Sequence, residues 1–559
     1  MTTLVRRGLR VTAVLLSAYL GLFTGPGGAS AAAPTYALIQ GSGSSWAANA
    51  VNQWVADVDA KGLKVVYTAN GAAQGRKDYA NKSTDFGVTD SPYRGTDPTT
   101  GAIDSSLGRS FAYLPVVAGG TSFPYNLVVG GKQVRTLRLS GQTLAKIFTN
   151  KISNWNDPAI TADNNGRALP SIPIIPVVRA DGAGVTNQFS TWMASQYPSL
   201  WKECNGGKAA ATDYFPLNCG EARGPQKAQT GSDGVMNFIK SKGAVGSIAM
   251  EEYSYPLMAN FPVAKVLNKA GYYTLPTQYN VAVALTKAEI NDNPSDSNYL
   301  TQKLDKVYVN PDKRTYPLSS YVYAIIPTAA NDARMTTAKR QTIVDFLRHS
   351  ICEGQSEIGP IGYSPLPVNL VQASFTQVNK LKVADPAVQF DASIIKNVKD
   401  CHNPTFVPGK PSENHLAKIA PYPAECDRPG SGPCAEGVGA FNENPDSKGA
   451  VGPTAHASGS TGGKAAGGAA AAGGAAAPGA GAAPVAGAAV DAAAGAVDDL
   501  GLGTTTTAGG DVLPVATTLD PDADGGPPRA LTGLVLGLLA GVLVVPPVVA
   551  QVVGRRRQR

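Results

Sequence analysis

Three short segments combine small, hydroxyl and charged residues in an order that suits anion binding. The first, Gly41-Ser42-Gly43-Ser44-Ser45-Trp46, follows a predicted strand that ends near Gln40 and precedes a predicted helix over Ala47–Val58. Backbone N–H groups at a helix N-terminus are unpaired and lie at its positive end, so a loop of this kind attracts anions. A serine-rich turn that only caps the helix is the alternative interpretation of this segment alone.

The other two segments contain charged residues that could bind an anion or its proton, Arg179 and Asp90. Thr84–Pro92 contains Asp90, and Val177–Thr186 runs from a predicted strand through Arg179 and a glycine-rich turn into a helix. The planar guanidinium of an arginine suits two-pronged binding of an oxyanion. Taken singly, Asp90 is equally a turn former and Arg179 a surface ion-pair partner.

The sequence offers no catalytic constellation. No Gly-x-Ser-x-Gly occurs, so a nucleophile elbow is absent. An oxyanion hydrolase would need a nucleophile or a metal beside the arginine, and neither can be named. We therefore predict a receptor and not an enzyme, with no cofactor and no metal. The histidines do not stand at metal-ligand spacing; they are His349, His402, His415 and His456.

Strand-like and helix-like segments alternate over about residues 35–405, which predicts α/β domains that bind ligands at the carboxyl ends of strands. A segment of this length exceeds one hydrophobic core and implies two domains. The clearest predicted strands are Ala37–Ile39, Lys64–Tyr67, Leu127–Val129 and Ile172–Val178, and the clearest predicted helices are Leu144–Phe148, Gln188–Ser195 and Gln341–Leu347.

Both ends of the chain carry targeting features. Arginines precede a short apolar run and small residues within 1–33, which is typical of a secretory signal peptide. Residues 530–553 carry no charge and are followed by an arginine-rich tail, 554–559, which predicts one transmembrane helix with a cytoplasmic C-terminus. A buried core helix, or a cell-wall sorting signal that uses Leu513–Thr517, are the alternatives.

The composition of the chain between these two ends predicts two further segments and the charge balance. Residues 436–529 are rich in Ala, Gly, Thr and Pro and predict a disordered, flexible stalk, and 406–435 form a Cys- and Pro-rich extension. The chain has 48 basic and 41 acidic residues. The seven arginines of the two ends account for the whole excess, so the rest of the chain is electrically balanced. Nothing here predicts nucleic-acid binding.

The six cysteines all fall in the part predicted to be exported, where disulfides form. Cys204 with Cys219, and Cys426 with Cys434, are the natural local pairs, which leaves Cys352 with Cys401. Six cysteines allow 15 connectivities, so other pairings stay open. No Cys-x-x-Cys supports a metal site instead.

The anion-binding segments and the spacing between them resemble the phosphate-binding proteins of bacterial phosphate ABC importers. The resemblance covers about residues 37–372 and includes stretches without obvious chemistry. These are Leu139–Phe148, Lys151–Asp157, Gly231–Val235, Gly243–Ile248 and Gly362–Pro367.

The resemblance implies a two-lobed periplasmic-binding-protein-like fold of type II that closes about a hinge on dehydrated phosphate. Residues 34–120 plus 283–405 would form lobe 1 and 121–282 lobe 2, with hinge crossings near Val117–Tyr125 and Tyr279–Leu285. Asp90 would accept the proton of hydrogen phosphate, and Arg179 would pair with its charge. The remaining implied contacts come from Ser44, Ser45, Trp46, Ala72, Ala183, Gly184, Val185 and Thr186. A membrane permease is the implied partner.

This sequence departs from the family pattern at three hydroxyl positions, where Ala72, Ala183 and Val185 stand. Each lost hydrogen bond to a charged ligand costs about 1.5–3 kcal/mol. Compensation by Ser44, Thr186, Asn70 or Gln74 is one expectation. Another oxyanion, a phosphorylated solute, or a sensor or surface interaction protein on the same fold are the alternatives.

Overall fold

The computed structural model describes residues 35–96, 101–217, 219 and 226–435. The predicted signal peptide, stalk, transmembrane helix and basic tail lie outside these residues. Within the described part of the chain, no helix has both the length and the apolar character needed to span a membrane.

Strands and helices alternate along the described chain. The strands are β1 Ile39–Gly43, β2 Val65–Thr68, β3 Phe86–Thr89, β4 Gly95–Thr96, β5 Ile103–Asp104, β6 Phe111–Ser122, β7 Val128–Val129, β8 Lys132–Gln133, β9 Arg138–Leu139, β10 Ile175–Arg179, β11 Lys227–Gln229, β12 Ser247–Ala249, β13 Glu251–Glu252, β14 Lys265–Leu267, β15 Tyr273–Thr274, β16 Glu289–Ile290, β17 Gln302–Lys303 and β18 Ser319–Pro327. The α-helices are α1 Ala48–Asp59, α2 Ala72–Ala80, α3 Gly141–Phe148, α4 Pro158–Asp163, α5 Gly184–Gln196, α6 Pro198–Cys204, α7 Gly231–Lys240, α8 Ser254–Met258, α9 Gln278–Leu285, α10 Asp305–Tyr308, α11 Thr337–Ile351, α12 Val368–Ala384 and α13 His415–Ile419.

The first lobe is built on a six-stranded sheet in the order β13-β6-β18-β3-β1-β2. β1 runs parallel to β2 and β3, whereas β18 runs antiparallel to β3 and β6. Every residue of β18 is buried, because helices cover both faces of the sheet's centre. A strand buried on both faces shows a continuous apolar run and not an alternating one.

The second lobe contains two three-stranded sheets, β11-β10-β12 and β15-β14-β9. The chain enters it after β6, and β13, which follows β12 directly, pairs with the end of β6. Helix α9 contains the boundary expected at residue 282 and packs against β6 and β18 of the first lobe. The two-lobed α/β fold is thus confirmed, and the residue limits of the lobes stay a prediction.

The predicted elements are present with shifted ends, and β1 differs most. The strand expected to end near Gln40 continues through Gly43, so half of the expected loop is strand. The apolar pattern stops at Ile39, but strand pairing continues through Gly43. Gly41 and Gly43 have no side chain, so neighbouring residues can pack closely against them. A methyl group at Gly41 would lie 2.1 Å from the Phe86 ring, and one at Gly43 would lie 2.0 Å from the Val88 carbonyl oxygen.

The structure confirms the expected disulfide pairs, which are Cys204–Cys219, Cys352–Cys401 and Cys426–Cys434. Cys352 follows α11, and Cys401 ends a short 3-10 turn beyond α12. This bridge therefore fixes the segment that follows α12 to the first lobe.

Replacing Cys352 and Cys401 together by serine should lower the free energy of unfolding by about 4 kcal/mol. The expected loss for Cys426 and Cys434 is about 2.5 kcal/mol, because the closed loops span 49 and 8 residues and loop-closure entropy grows with length. Urea unfolding of the two double variants measures the difference. Equal losses would show that loop length does not set the contribution.

The Cys- and Pro-rich extension, 406–435, contacts both lobes. Its helix α13 packs on α9 of the first lobe. Further on, Asp427 forms an ion pair with Lys265 of β14 at 2.8 Å, and the Cys426 carbonyl accepts a hydrogen bond from Arg138 of β9. The extension therefore links the lobes a second time, outside the strand crossings.

Candidate functional site

Three strands end, and three helices begin, at one place between the lobes. Helices α1 and α2 start in the first lobe near the end of β1, where the Gly71 amide donates to the Gly43 carbonyl at 2.8 Å. Helix α5 starts in the second lobe, and the Ala73 amide of α2 donates to the Gly182 carbonyl before it at 3.1 Å. The N-termini of α2 and α5 therefore meet across the cleft, which concentrates partial positive charge.

Asp90 follows β3 and is almost completely buried at this place. Neither of its carboxylate oxygens has a hydrogen-bond partner within residues 35–96, 101–217, 219 and 226–435. The carboxylate lies against α5, because a methyl group at Gly184 would stand only 1.8 Å from Oδ2. Burial raises the pKa of Asp90 to about 6, although the Ser44 hydroxyl and the Arg179 charge oppose the shift.

Arg179 is the last residue of β10, and its side chain is 1% exposed. Its Nε and Nη2 donate to the two carboxylate oxygens of Asp181 at 2.9 and 2.5 Å, and its Nη1 donates to Ser232 Oγ at 3.2 Å. Burial opposes the charge, but these bonds to Asp181 outweigh burial and raise the pKa. A guanidinium has five N–H donors, so one N–H on each Nη is left over after these bonds to the described residues.

The first loop joins the two lobes through its serines. Ser45 Oγ lies 2.9 Å from Ser232 Oγ at the start of α7, and the Ser45 carbonyl accepts from the Tyr255 hydroxyl at 2.5 Å. Ser44 Oγ accepts from the amide of Ala47, the residue before α1, at 3.3 Å. Trp46 is buried, and its indole N–H finds no acceptor among the described residues.

The first turn of α5 brings together the other residues expected in the second lobe. Ala183 is its N-cap and Gly184 its first residue, with Val185 next. Thr186 is fully buried, and no described residue forms a hydrogen bond with its hydroxyl. Across the cleft Ala72 begins α2 and is also fully buried. The expected residues therefore lie together, and their contact with a ligand stays a prediction.

Asn70 and Gln74, which were expected to compensate for the missing hydroxyls, form hydrogen bonds with Asp78 instead. The amide nitrogens of Asn70 and Gln74 donate to the carboxylate of Asp78 at 2.9 and 2.6 Å. Asp78 also accepts from the Ser42 hydroxyl at 2.7 Å. This network belongs to the first lobe alone, because α2 places Gln74 and Asp78 one turn apart. Ser44 and Thr186 remain as the candidate hydroxyl donors.

Glu251 was not expected in this region. It lies fully buried on β13, and Oε1 accepts from the Glu252 amide at 2.9 Å. In the part of the chain that the structure describes, Oε2 has no hydrogen-bond partner. Burial raises the pKa of Glu251 to about 7, and the charge of Arg179 opposes the shift most strongly. A second buried carboxyl, that of Glu252, has a pKa raised further by burial.

Glu251→Gln should flatten the loss of stability between pH 5 and pH 8. A carboxyl with a raised pKa stabilises the fold most at low pH, and that contribution disappears as pH rises through its folded pKa, here about 7. The neutral glutamine removes this term, which is on the order of 3 kcal/mol. Thermal unfolding across this pH range measures it. An unchanged pH slope in the variant would contradict the assignment.

Sequence reasoning missed the residues that pair across the cleft or behind it. Ser232 follows Gly231 at the start of α7, and a serine at a helix start was only a weak sign of a functional role. Gln188, whose side chain donates to the Asp90 carbonyl at 2.8 Å, showed no such sign. Among the described residues, no group of three or more His, Cys, Asp or Glu side chains is placed to hold a metal ion.

Comparison with known proteins gives a consistent result. A profile described as the PBP superfamily domain matches residues 28–347. A phosphate-binding protein, PstS 3, of Mycobacterium tuberculosis is 30% identical over 346 residues, which are 61% of this chain and 86% of the relative. The phosphate-binding protein PstS of Xylella fastidiosa is 30% identical over 338 residues, which are 60% of this chain and 83% of the relative.

Solved structures match the chain at lower identity. A high affinity periplasmic phosphate-binding protein, PfluDING, solved with phosphate bound, is 18% identical with a TM-score of 0.49, and the match covers 64% of this chain and all of that one. A phosphate binding protein from Stenotrophomonas maltophilia is 16% identical with a TM-score of 0.45, over 60% of this chain and 92% of that one. Such values add nothing to the family assignment.

Proposed function

Because the chain belongs to the PBP superfamily and, within it, to the family of the PstS phosphate-binding proteins, we propose that its cleft binds inorganic phosphate for delivery to an ABC-type importer. The protein acts as a receptor and not as an enzyme. The three disulfides accord with a binding domain outside the cytoplasm.

The observation that carries this proposal is the buried Asp90 carboxylate, which faces the start of α5 and has no hydrogen-bond partner among the residues that the structure describes. An unpaired buried carboxylate is costly, so it calls for a ligand that donates a hydrogen bond. Hydrogen phosphate carries such a proton together with a negative charge. The charge suits the remaining donors of Arg179 and the free amides of the helix N-termini.

The same carboxylate gives the cleft its selectivity. Sulfate has the shape and charge of hydrogen phosphate but carries no proton near neutral pH. Its oxygen would face the Asp90 carboxylate, with two acceptors opposed and no hydrogen between them. Sulfate is rejected because this repulsion is not offset by any new hydrogen bond.

Thr186 supplies a hydroxyl that the substituted positions lack. Ala72 and Val185 leave only their backbone amides to the ligand, and the Ala183 amide already donates to the Asp213 carbonyl at 2.9 Å. The Thr186 hydroxyl is buried in the same turn of α5, without a hydrogen-bond partner in the described part of the chain. A buried hydroxyl without a partner is costly and is explained by a ligand. Ser44 is the second donor, from the first lobe.

The composition of the two ends supports a receptor held at the membrane. Residues 1–33 direct export, and 530–553 anchor the domain on the outer side through the stalk, next to a permease. Membrane fractionation of cells that express the full chain, followed by protease treatment of intact cells, tests the anchor. A full chain recovered in the culture supernatant would contradict it.

Equilibrium dialysis of the purified full chain against radiolabelled phosphate tests the binding function. We expect one phosphate bound per chain, recovered chemically unchanged after release. Absence of bound label at millimolar phosphate would contradict phosphate reception. Recovery of a converted product from a phosphorylated solute would contradict the receptor role.

A further inference from the structure

A buried ion pair crosses the cleft beside the candidate site. Arg76 of α2 in the first lobe donates from Nη2 to Asp213 of the second lobe at 2.5 Å. The two side chains are 1% and 5% exposed. Arg76 also bonds Asp104 of its own lobe from Nε and Nη2, at 3.0 and 2.9 Å. The side chain of Asp104 is 26% exposed.

The pair connects the two halves of the site. On one side, Arg76 Nη1 donates to the hydroxyls of Thr89 and Ser91, which flank Asp90, at 3.0 and 3.1 Å. On the other side, the Asp213 carbonyl accepts from the N-cap amide of α5 at 2.9 Å. Its carboxylate accepts from Asn187 in the first turns of α5 at 2.8 Å. The ion pair therefore helps to set the separation between Asp90 and α5, together with the direct bond from Gln188 to the Asp90 carbonyl.

When the lobes open, Arg76 loses its contact with Asp213 but keeps its contact with Asp104. Asp104 moves with Arg76 because both belong to the first lobe, so the arginine keeps a partner when the cleft opens. Asp213 keeps Asn187 but loses Arg76, and it also loses Arg94 of the first lobe, whose Nη1 lies 3.5 Å from Oδ1. Both charges are then hydrated, whereas in the closed state they are paired in a dry environment, where attraction is stronger.

We propose, building on the function proposed above, that Arg76 and Asp213 form a latch that favours closure of the lobes and slows the release of phosphate. They are positioning residues, because each acts through groups that face the ligand. Part of the closing free energy then comes from contacts between the lobes and not from contacts with the ligand. That offsets the contacts missing at Ala72, Ala183 and Val185.

The charge state of the pair accords with this role. Burial opposes the charge on Arg76, but Asp213 and Asp104 outweigh burial and raise the pKa of the guanidinium. The arginine thus stays charged in the closed state at any physiological pH. A ligand that binds the closed form gains affinity in proportion to the fraction of molecules already closed.

Asp213→Asn tests the latch, with Asp104→Asn as the matched control. Both changes remove one carboxylate charge from Arg76 and keep the shape of the side chain, but only the first acts across the cleft. In stopped-flow experiments on the full chain, Asp213→Asn should speed phosphate dissociation about 10- to 100-fold and change association less than about threefold. Asp104→Asn should change dissociation less than about threefold. Asp213→Glu should restore part of the slow release.

Small-angle scattering of the unliganded proteins provides a readout that does not depend on phosphate. The wild type and Asp104→Asn should be compact, and Asp213→Asn should have a larger radius of gyration. Equal dissociation rates and equal radii in the two variants would overturn the latch even if phosphate binds. If the wild type binds no phosphate but the radii differ as expected, the latch stands and the proposed ligand is wrong. Arg76→Gln replaces Asp213→Asn if that variant does not fold.

Discussion

Asp90→Asn should raise the affinity for sulfate at pH 8 at least about 100-fold and lower the affinity for phosphate by less than about tenfold. The repulsion between two opposed acceptors, about 3 kcal/mol, disappears when the carboxylate becomes an amide that can donate a hydrogen bond. Phosphate keeps the Arg179 and amide contacts. Calorimetric titration of wild type and variant with both anions measures the change.

The same variant should be more stable than the wild type when no ligand is present. Asp90 has a folded pKa of about 6 against a usual value of 3.8, so it stabilises the fold fully only below about pH 4, and this contribution disappears as pH rises through 6. At pH 8 the carboxylate therefore costs up to about 3 kcal/mol. The variant should gain that amount at pH 8 and much less at pH 4.

Asp85→Asn is the matched control, since Asp85 is another completely buried aspartate of the first lobe. It forms ion pairs with Arg334 and Lys339 at 2.7 and 2.8 Å. Its loss should lower the free energy of unfolding at pH 8 and leave the sulfate affinity unchanged. If Asp90→Asn destabilised the unliganded protein as Asp85→Asn does, this result would contradict the interpretation that the Asp90 carboxylate is unpaired.

Arg179→Ala should weaken phosphate binding by a factor of about 1,000 or more. The variant loses a buried two-pronged charge contact, and it leaves the carboxylates of Asp181 and Glu251 without their cation. Removing one member of a buried charge pair costs about 3–5 kcal/mol, and here it also makes the cleft repel anions. Arg179→Lys keeps the charge but not the fork, so we expect an intermediate loss.

Arg109→Ala separates this effect from a general loss of stability. Arg109 is a buried arginine whose Nε pairs with Asp332 at 2.8 Å, and it bonds the carbonyls of Tyr79 and Thr84 outside the candidate site. We expect it to lower the unfolding temperature without a change in phosphate affinity of the folded protein. Equal affinity losses in the two alanine variants would contradict a direct role for Arg179.

Much of the site could be predicted from the sequence because its parts are local. A strand that ends in a glycine-rich turn before a helix is visible in a few residues, as at Arg179 and Gly184, and parallel strands bring such turns to one edge. The disulfide pairing could be predicted for a similar reason, since two of the pairs are close in sequence and leave only Cys352 with Cys401.

The contacts between the lobes could not be predicted in the same way. Arg76 and Asp213 are separated by 137 residues, and Asp213 stands between α6 and β11 with no regular element to fix its direction. Their partnership depends on how far the lobes close, which no periodicity encodes. The continuation of β1 through Gly43 was missed because glycine normally weakens strands, and only the packing of Phe86 explains it.

Calorimetric titration of the purified full chain at pH 8 and pH 5, first with phosphate and then with sulfate, tests the central claim most directly. We predict that phosphate binds at both pH values and that sulfate binds only at pH 5, where Asp90 is protonated. Sulfate binding at pH 8 as strong as phosphate binding, or no heat with phosphate at either pH, would contradict a phosphate receptor in which Asp90 recognises the proton of the ligand.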